Sequence, residues 1–185
     1  MKAVMISIKP KWCELIARGA KTIEVRKTRP NLNTPFKCYI YCTKGKKNDP
    51  HELLEIHDSN GKIHKANGKI IGEFICNKID RIQKRGFQNN FDYCYLSLNV
   101  FGNDDIEIEI TDIKKSCIRK EELNSYGSNL KVLYGWHISS LLIYDKPKEL
   151  SEFTKLRKTK FGYETVRCEC PPQSWSYVEE LEDNK

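Results

Sequence analysis

The stretch Gly19-Ala20-Lys21-Thr22-Ile23-Glu24-Val25-Arg26 combines a turn residue with a short strand in which apolar and polar residues alternate. A strand places alternate side chains on opposite faces, and neighbours on one face lie within about 7 Å. The carboxylate of Glu24 can therefore hold the guanidinium of Arg26, and Lys21 adds a second cation where the strand begins. Such a cluster can grip a phosphate or polarise a carbonyl group. The alternative is an exposed strand face with weakly paired charges.

The sequence before this stretch predicts one strand and one short helix. Residues 4–8 are mostly apolar and have a strand pattern. Pro10 suits the first turn of a helix, and Trp12 and Ile16 follow at helical spacing. Gly19 is expected to end the helix as its C-terminal cap. A helix of about two turns in this place is expected to close one end of a barrel.

Downstream, short segments with strand patterns alternate with turn signals. Strands are expected at 22–27, 36–43, 69–82, 106–110, 135–144 and 175–178, and a short helix at 120–126. Residues 44–68 are polar and contain two Asn-Gly turn signals, which predicts an inserted loop or hairpin. Residues 83–105 look loop-rich, and a basic cluster at 155–160 leads into a further loop.

Many short strands with few helices predict a mainly β (α+β) fold, a closed or nearly closed barrel with short capping helices. A single domain is expected over residues 1–178, followed by an acidic tail at 179–185 that frays. No stretch approaches the roughly 20 apolar residues needed to span a bilayer. The apolar run at the start is too short for a signal peptide, and we expect a cytoplasmic protein without a membrane partner.

The charge of the chain favours a polyanionic partner. There are 32 basic and 25 acidic residues, which gives a net charge of +7. A solvated basic surface is the alternative. The eight cysteines are expected to be reduced thiols, because no secretory signal is recognised. Their spacing does not suit a metal site, and we predict neither a metal nor a cofactor.

Glu73 is the second carboxylate of interest. It interrupts an apolar run at residues 70–75, where a charge is costly unless it is paired or hydrogen-bonded. Gly72 beside it would allow a ligand or another backbone to approach closely. Glu73 is therefore expected to line a cavity, where it pairs with Lys21 or Arg26 or accepts a base N–H. An outward-facing side chain on an edge strand is the alternative.

Other side chains near the motif can extend a nucleic-acid surface. Cations flank it on both sides and can line a track for a phosphate backbone. These cations are Lys9, Lys11, Lys27 and Arg29. Trp12 offers a face on which an unpaired base can stack.

Gly19, Lys21, Glu24 and Arg26 reproduce the G-x-K-x-x-E-x-R signature of ASCH domains, which the chain therefore resembles. Segments 7–12, 136–139, 144–147 and 171–175 are also similar to bacterial and phage members, so the resemblance spans nearly the whole chain. It implies a PUA-like β-barrel with a cleft beside the first helix. It also implies that this cleft, at the mouth of the barrel, binds RNA or a nucleotide.

The resemblance also implies an alternative activity. One branch of the family hydrolyses N4-acetylcytidine with a Lys, a Thr and a Glu, and some members are ribonucleases. Lys21 matches the Lys and Glu73 the Glu, but Glu24 stands at the position of the Thr, so that mechanism does not carry over unchanged. The alternative is therefore a hydrolase acting on a modified nucleoside, or a ribonuclease, with Lys21, Glu24 and Glu73 as catalytic residues.

Overall fold

The structure, a computed structural model, describes residues 1–45, 53–87, 90–96 and 114–181. Strands dominate these residues, and the main helices are short. The elements are β1 (Lys2–Ile8), α1 (Pro10–Ala17), β2 (Ile23–Arg26), β3 (Phe36–Cys42), β4 (Glu55–His57), β5 (Ile63–Lys65), β6 (Ile70–Phe87), β7 (Asn90–Leu96), α2 (Lys120–Gly127), β8 (Val132–Lys148), β9 (Thr154–Thr159), β10 (Gly162–Arg167) and β11 (Trp175–Glu179). The predicted mainly β fold is confirmed.

One large sheet organises the molecule. Its strands follow the order β11-β1-β3-β6-β8-β2, with β7 paired to β6 beyond this path. β1 and β3 run parallel, and the other neighbouring pairs run antiparallel. Within the described residues the sheet is not closed, because β11 and β2 form its two ends. The sheet is therefore barrel-like, and the part of the prediction that allowed a nearly closed barrel fits it.

Apolar side chains cover both faces of this sheet. One cluster contains Ile6, Ile40, Phe74 and Trp136, and α1 packs against it through Cys13 and Ile16. The opposite face carries a second cluster, which includes Met5, Tyr39, Ile70 and Phe153. Both clusters follow from alternation along β1 and β3, where neighbouring residues point to opposite faces.

The end of α1 sets the position of β2. Gly19 adopts a φ of +71°, which is strained for residues with a Cβ. The Gly19 N–H donates to Ile16 O at 2.8 Å, and the Lys21 N–H donates to Leu15 O at 3.0 Å. The helix therefore ends where the sequence predicts, and the chain turns directly into the charged strand.

Gly72 brings two backbones together. A Cβ at this position would lie 2.3 Å from Leu142 O on β8, which is too close for any side chain. The predicted close approach is therefore met by a neighbouring strand. The pairing of β6 with β8 shifts register at three places, between Ile70 and Gly72, Glu73 and Ile75, and Cys76 and Ile79. These irregularities change which face successive side chains point to.

Two loop predictions are wrong. Within 83–105, β6 continues to Phe87 and pairs with β7 from Arg81–Leu96 to Phe87–Asn90. The segment that follows the basic cluster 155–160, expected to be a loop, contains β10, which forms a hairpin with β9. The hairpin of β9 and β10 escapes the pattern search because charged residues occupy both faces of its strands. The strand expected at 106–110 lies outside the described residues.

The polar segment 44–68 contains the two-stranded hairpin of β4 and β5. Its base is attached to the domain by Leu54 and Ala66, which are buried against the first core cluster. The Leu54 N–H also donates to Asn67 Oδ1 at 2.8 Å. Among the described residues, no helix combines the length and apolar character needed to cross a bilayer.

Candidate functional site

Lys21, Glu24 and Arg26 form one buried ion-pair cluster, called the charged cluster below. Glu24 lies between the two cations, with Oε2 3.2 Å from Lys21 Nζ and Oε1 3.1 Å from Arg26 Nη2. The three residues are 1%, 6% and 8% exposed, respectively. The strand alternation therefore brings the motif's charges together, and their burial distinguishes them from weakly paired surface charges.

Lys21 is held by the backbone as well as by Glu24. Its ammonium group donates to Ile23 O at 2.8 Å and to Ser116 O at 2.5 Å. Trp12 covers it from one side, with Nζ 5.1 Å from the ring centroid. An ammonium group has three N–H donors and no acceptor. Two of these donors meet the carbonyls, and the contact with Glu24 Oε2 is an ion pair that lacks hydrogen-bond geometry. The Lys21 side chain is therefore held in place by the backbone.

Arg26 and its surroundings contain buried polar atoms without hydrogen-bond partners in the described part of the chain. Its Nη2 donates to Ser7 O at 2.5 Å. Its Nε has no hydrogen-bond partner among the described residues, and neither do Glu24 Oε2 and Trp136 Nε1. Buried polar atoms normally have a partner. With two cations to one carboxylate, the charged cluster also has a net charge of +1, which favours a ligand that brings oxygen acceptors or negative charge.

The helix α2 adds Tyr126, a residue that sequence reasoning missed. Burial raises the pKa of its hydroxyl above the usual value, the nearby Arg26 acts to lower it, and Glu24 acts to raise it. Lys27 Nζ lies 5.0 Å from the centroid of its ring. Tyr126 and Leu123 are spaced for one helix face, which is a signal for packing. Nothing in the sequence identifies β2 as the partner of that face.

The other predicted cations surround the charged cluster at the surface. Lys9, Lys11, Lys27 and Arg29 are all exposed. Lys11 Nζ lies 3.0 Å from Glu122 Oε1 and 4.1 Å from the ring centroid of Trp12. The hydrogen bond from Lys11 lowers the pKa of Glu122 below its usual value. Lys11 is thus already paired, which leaves it less available to a phosphate than its sequence position suggests.

A depression of about 330 Å³ lies beside the loop that follows β2, and Lys21, Glu24 and Arg26 are not among its walls. Its walls are Arg29, Leu32, Asn33, Thr34 and Ile79. The register of the sheet places Ile79 opposite Trp136, and Trp136 opposite Glu24. Residues opposite one another in neighbouring strands share a face. The wall of the depression, the Trp136 indole and the Glu24 carboxylate therefore form one row across three strands.

The structure does not bring Glu73 to the charged cluster. Glu73 pairs in register with Tyr39, whose ring belongs to the core on the opposite face from Trp136. Its carboxylate accepts a hydrogen bond from the Tyr144 hydroxyl at 2.5 Å and lies 3.2 Å from Lys37 Nζ. The charge is thus paired, as its apolar surroundings require, but its partners are other residues than Lys21 and Arg26.

No family model matches the sequence, and neither does any curated protein. Solved structures do match the fold. The crystal structure of ASCH from Zymomonas mobilis is 12% identical, with a TM-score of 0.50 over 96% of this chain and 88% of that one. A mutant of the same protein gives the same identity and TM-score over 97% and 92%. The resemblance inferred from the motif is therefore confirmed at the level of the fold.

Proposed function

We propose that this chain, which shares the fold of the Zymomonas mobilis ASCH protein, binds RNA or a nucleotide at the charged cluster. The observation that carries the proposal is a buried cluster with one excess positive charge and unsatisfied polar atoms on Arg26, Glu24 and Trp136. A nucleotide supplies the complementary groups. Its phosphate or carbonyl oxygens can accept from Arg26 and Trp136, and a base N–H can donate to Glu24.

The depression beside the row of Ile79, Trp136 and Glu24 is the proposed entrance. Arg29 on its wall is an exposed cation, suited to a phosphate that remains near solvent. The ligand is expected to be unpaired, since the cluster is buried and the stacked bases of a duplex could not approach it.

The contacts of Lys21 support binding over the hydrolase alternative. The Lys21 side chain is anchored by two backbone carbonyls and paired with Glu24, which suits a group that binds a ligand better than a nucleophile that must reach a substrate. Glu73, the second carboxylate that the hydrolase would use, is on the other face of the sheet. Turnover of acylated nucleosides or of single-stranded RNA that disappears in Lys21→Ala would nevertheless favour the hydrolase.

The test is a panel of nucleosides, nucleotides and short RNAs read by thermal shift, followed by titration of the best ligand. Binding to the folded state raises the melting temperature as the ligand concentration passes its Kd. Arg26→Lys keeps the charge and removes the planar fork of donors. It is expected to raise the Kd at least about tenfold, because a buried charged contact loses its geometry.

Arg18→Lys is the matched control. Arg18 lies on the same short segment and pairs with Glu14 at 2.7 Å, but 73% of its side chain is exposed. It should bind the ligand like the parent. Equal affinities of the parent, Arg26→Lys and Arg18→Lys, with melting temperatures that confirm folding, would contradict the proposal.

A further inference from the structure

The hairpin of β9 and β10 is strongly basic. Residues 154–167 contain five basic residues and one acidic residue, a net charge of +4 out of +7 for the whole chain. Arg157 is paired with Glu164 across the two strands. Lys158, Lys160 and Arg167 form no ion pair within the described part of the molecule, and all three are exposed.

Exposed apolar side chains occur on the same hairpin. Phe161 is 100% exposed, Tyr163 71% and Leu156 54%. Phe161 and Tyr163 are the two aromatic residues among the large exposed hydrophobic residues of the described chain. Exposed apolar groups that cluster in this way commonly mark an interaction site.

The register of the hairpin places aromatic and basic side chains together. Tyr163 lies opposite Lys158, and Thr165 lies opposite Leu156, so these four share one face with Arg167. Arg157 and Glu164, which lie opposite one another, point to the other face. The residues between the strands, Lys160 and Phe161, form the tip, and the Phe161 N–H donates to Thr159 Oγ1 at 3.2 Å. We call Leu156, Lys158, Tyr163 and Arg167, with Lys160 and Phe161 of the tip, the hairpin face.

We propose that the hairpin face binds single-stranded RNA, with bases stacked on Phe161 and Tyr163 and phosphates paired with Lys158, Lys160 and Arg167. Aromatic faces interleaved with cations suit unpaired bases on a charged backbone. A duplex hides its base faces and would use only the cations. The proposal names a second surface and does not rest on the charged cluster as a binding site.

The test is the anisotropy of a labelled oligouridine of about 12 nucleotides, titrated with protein at about 50 and about 200 mM salt. Phe161→Ser with Tyr163→Ser should weaken binding about 30-fold and leave the salt dependence unchanged, because stacking carries no charge. Lys158→Ser with Lys160→Ser should lower the slope of log Kd against log salt by about 1.4, the value for two lost phosphate contacts on a single strand.

The hairpin of β4 and β5 supplies the matched control. It also has two exposed lysines, Lys62 and Lys65, and an apolar residue that is 54% exposed, Ile63. Changing all three of these residues to Ser should leave the Kd for oligouridine near the parent's value, with only the small increase that follows from two lost positive charges. If the Phe161→Ser/Tyr163→Ser variant has a lowered melting temperature, Phe161→Ser alone replaces it in the test. This single change affects one fully exposed side chain and should still weaken RNA binding.

Several results would overturn the proposal. They are equal losses in the aromatic variant and the β4–β5 control, equal affinity for duplex and single strand, or an affinity of the hairpin face for anionic vesicles in place of RNA.

Arg26→Lys separates this proposal from the previous one. If Arg26→Lys loses mononucleotide binding and the hairpin variants bind oligouridine like the parent, the hairpin face alone is overturned. If Arg26→Lys binds mononucleotides like the parent and the hairpin variants lose oligouridine binding, the charged cluster alone is overturned.

Discussion

The charged cluster and the hairpin of β9 and β10, which carries the hairpin face, contain the same kinds of charged side chain in opposite settings. In the cluster, Glu24 holds two buried cations and backbone carbonyls fix their positions. In the hairpin face Lys158, Lys160 and Arg167 are exposed and form no ion pair with the described residues, whereas Arg157 on the opposite side of the hairpin is paired with Glu164. Buried charges have fixed geometry and strong partners, whereas exposed charges are screened by salt. The first arrangement suits recognition of particular atoms, and the second suits attraction of any nearby strand.

The largest difference is expected when the carboxylate of each region is neutralised. Glu24→Gln leaves two buried cations without their counter-charge and should lower the free energy of unfolding by about 3–5 kcal/mol. Glu164→Gln removes the partner of the exposed Arg157 and should cost less than about 1 kcal/mol. Urea unfolding followed by circular dichroism measures both. Similar costs for the two variants would show that the buried and exposed pairs are energetically alike.

A second comparison uses one cysteine near each region. Burial raises the pKa of the Cys13 thiol far above its usual value, and Cys42 and Glu24 add to the effect. Cys170 follows the hairpin and is exposed. A thiol reagent at pH 8 should modify Cys170 at least about 100-fold faster than Cys13, which must wait for local opening. Mass spectrometry of digests taken over time distinguishes the two sites, and comparable rates would contradict the buried placement of Cys13.

Asp80, a second buried carboxylate near β2, sharpens the comparison through pH. Asp80 Oδ2 lies 2.6 Å from His137 Nε2, and Oδ1 lies 2.9 Å from Lys78 Nζ. Burial acts to raise the pKa of Asp80, but the hydrogen bonds from His137 and Lys78 bring it below its usual value of 3.8. The ionised carboxylate therefore stabilises the fold above the unfolded pKa, and this contribution is lost as the pH falls through the lower folded value.

Asp80→Asn removes this titration. The parent should lose stability below about pH 4, and the variant should lose less over the same interval, although it is less stable than the parent at pH 7. Urea midpoints from pH 7 down to about pH 3 provide the measurement. Parallel curves for parent and variant would mean that the pair does not titrate as its contacts imply.

The smallest effect is expected at the tip of the hairpin. Phe161 is fully exposed, so Phe161→Ser should change the free energy of unfolding by less than about 0.5 kcal/mol. Thermal unfolding of parent and variant tests this. A loss of more than about 1 kcal/mol would mean that the ring packs against the molecule in solution, and the aromatic half of the hairpin face would then lack its free stacking surface.

The elements near the motif were predictable because their signals are local. Pro10 begins α1, Gly19 ends it, and the alternation in β2 brings Glu24 and Arg26 to one face. These signals depend on neighbours within about four residues, which the sequence contains directly. The residues that complete the charged cluster, such as Ser116 and Tyr126, come from about 90 and 100 positions further along the chain, and no local pattern identifies them.

Glu73 illustrates why long strands are harder to interpret. The prediction that it joins Lys21 or Arg26 depends on knowing which face of β6 it occupies. The pairing of β6 with β8 shifts register on either side of Glu73, so strict alternation does not hold there. The hairpin of β9 and β10 was missed for a different reason. Its charged residues lie on both faces, and without an apolar face there is no period of two to detect.

Gly19 has a consequence for how this site tolerates variation. A Cβ placed there would have no atom within 4 Å, so volume does not restrict the position. Backbone handedness does, because its φ of +71° suits glycine and, less well, asparagine. In a library randomised at position 19 and sorted for ligand capture, glycine should be recovered most often and asparagine next. Alanine and serine should be depleted there although there is ample room for them.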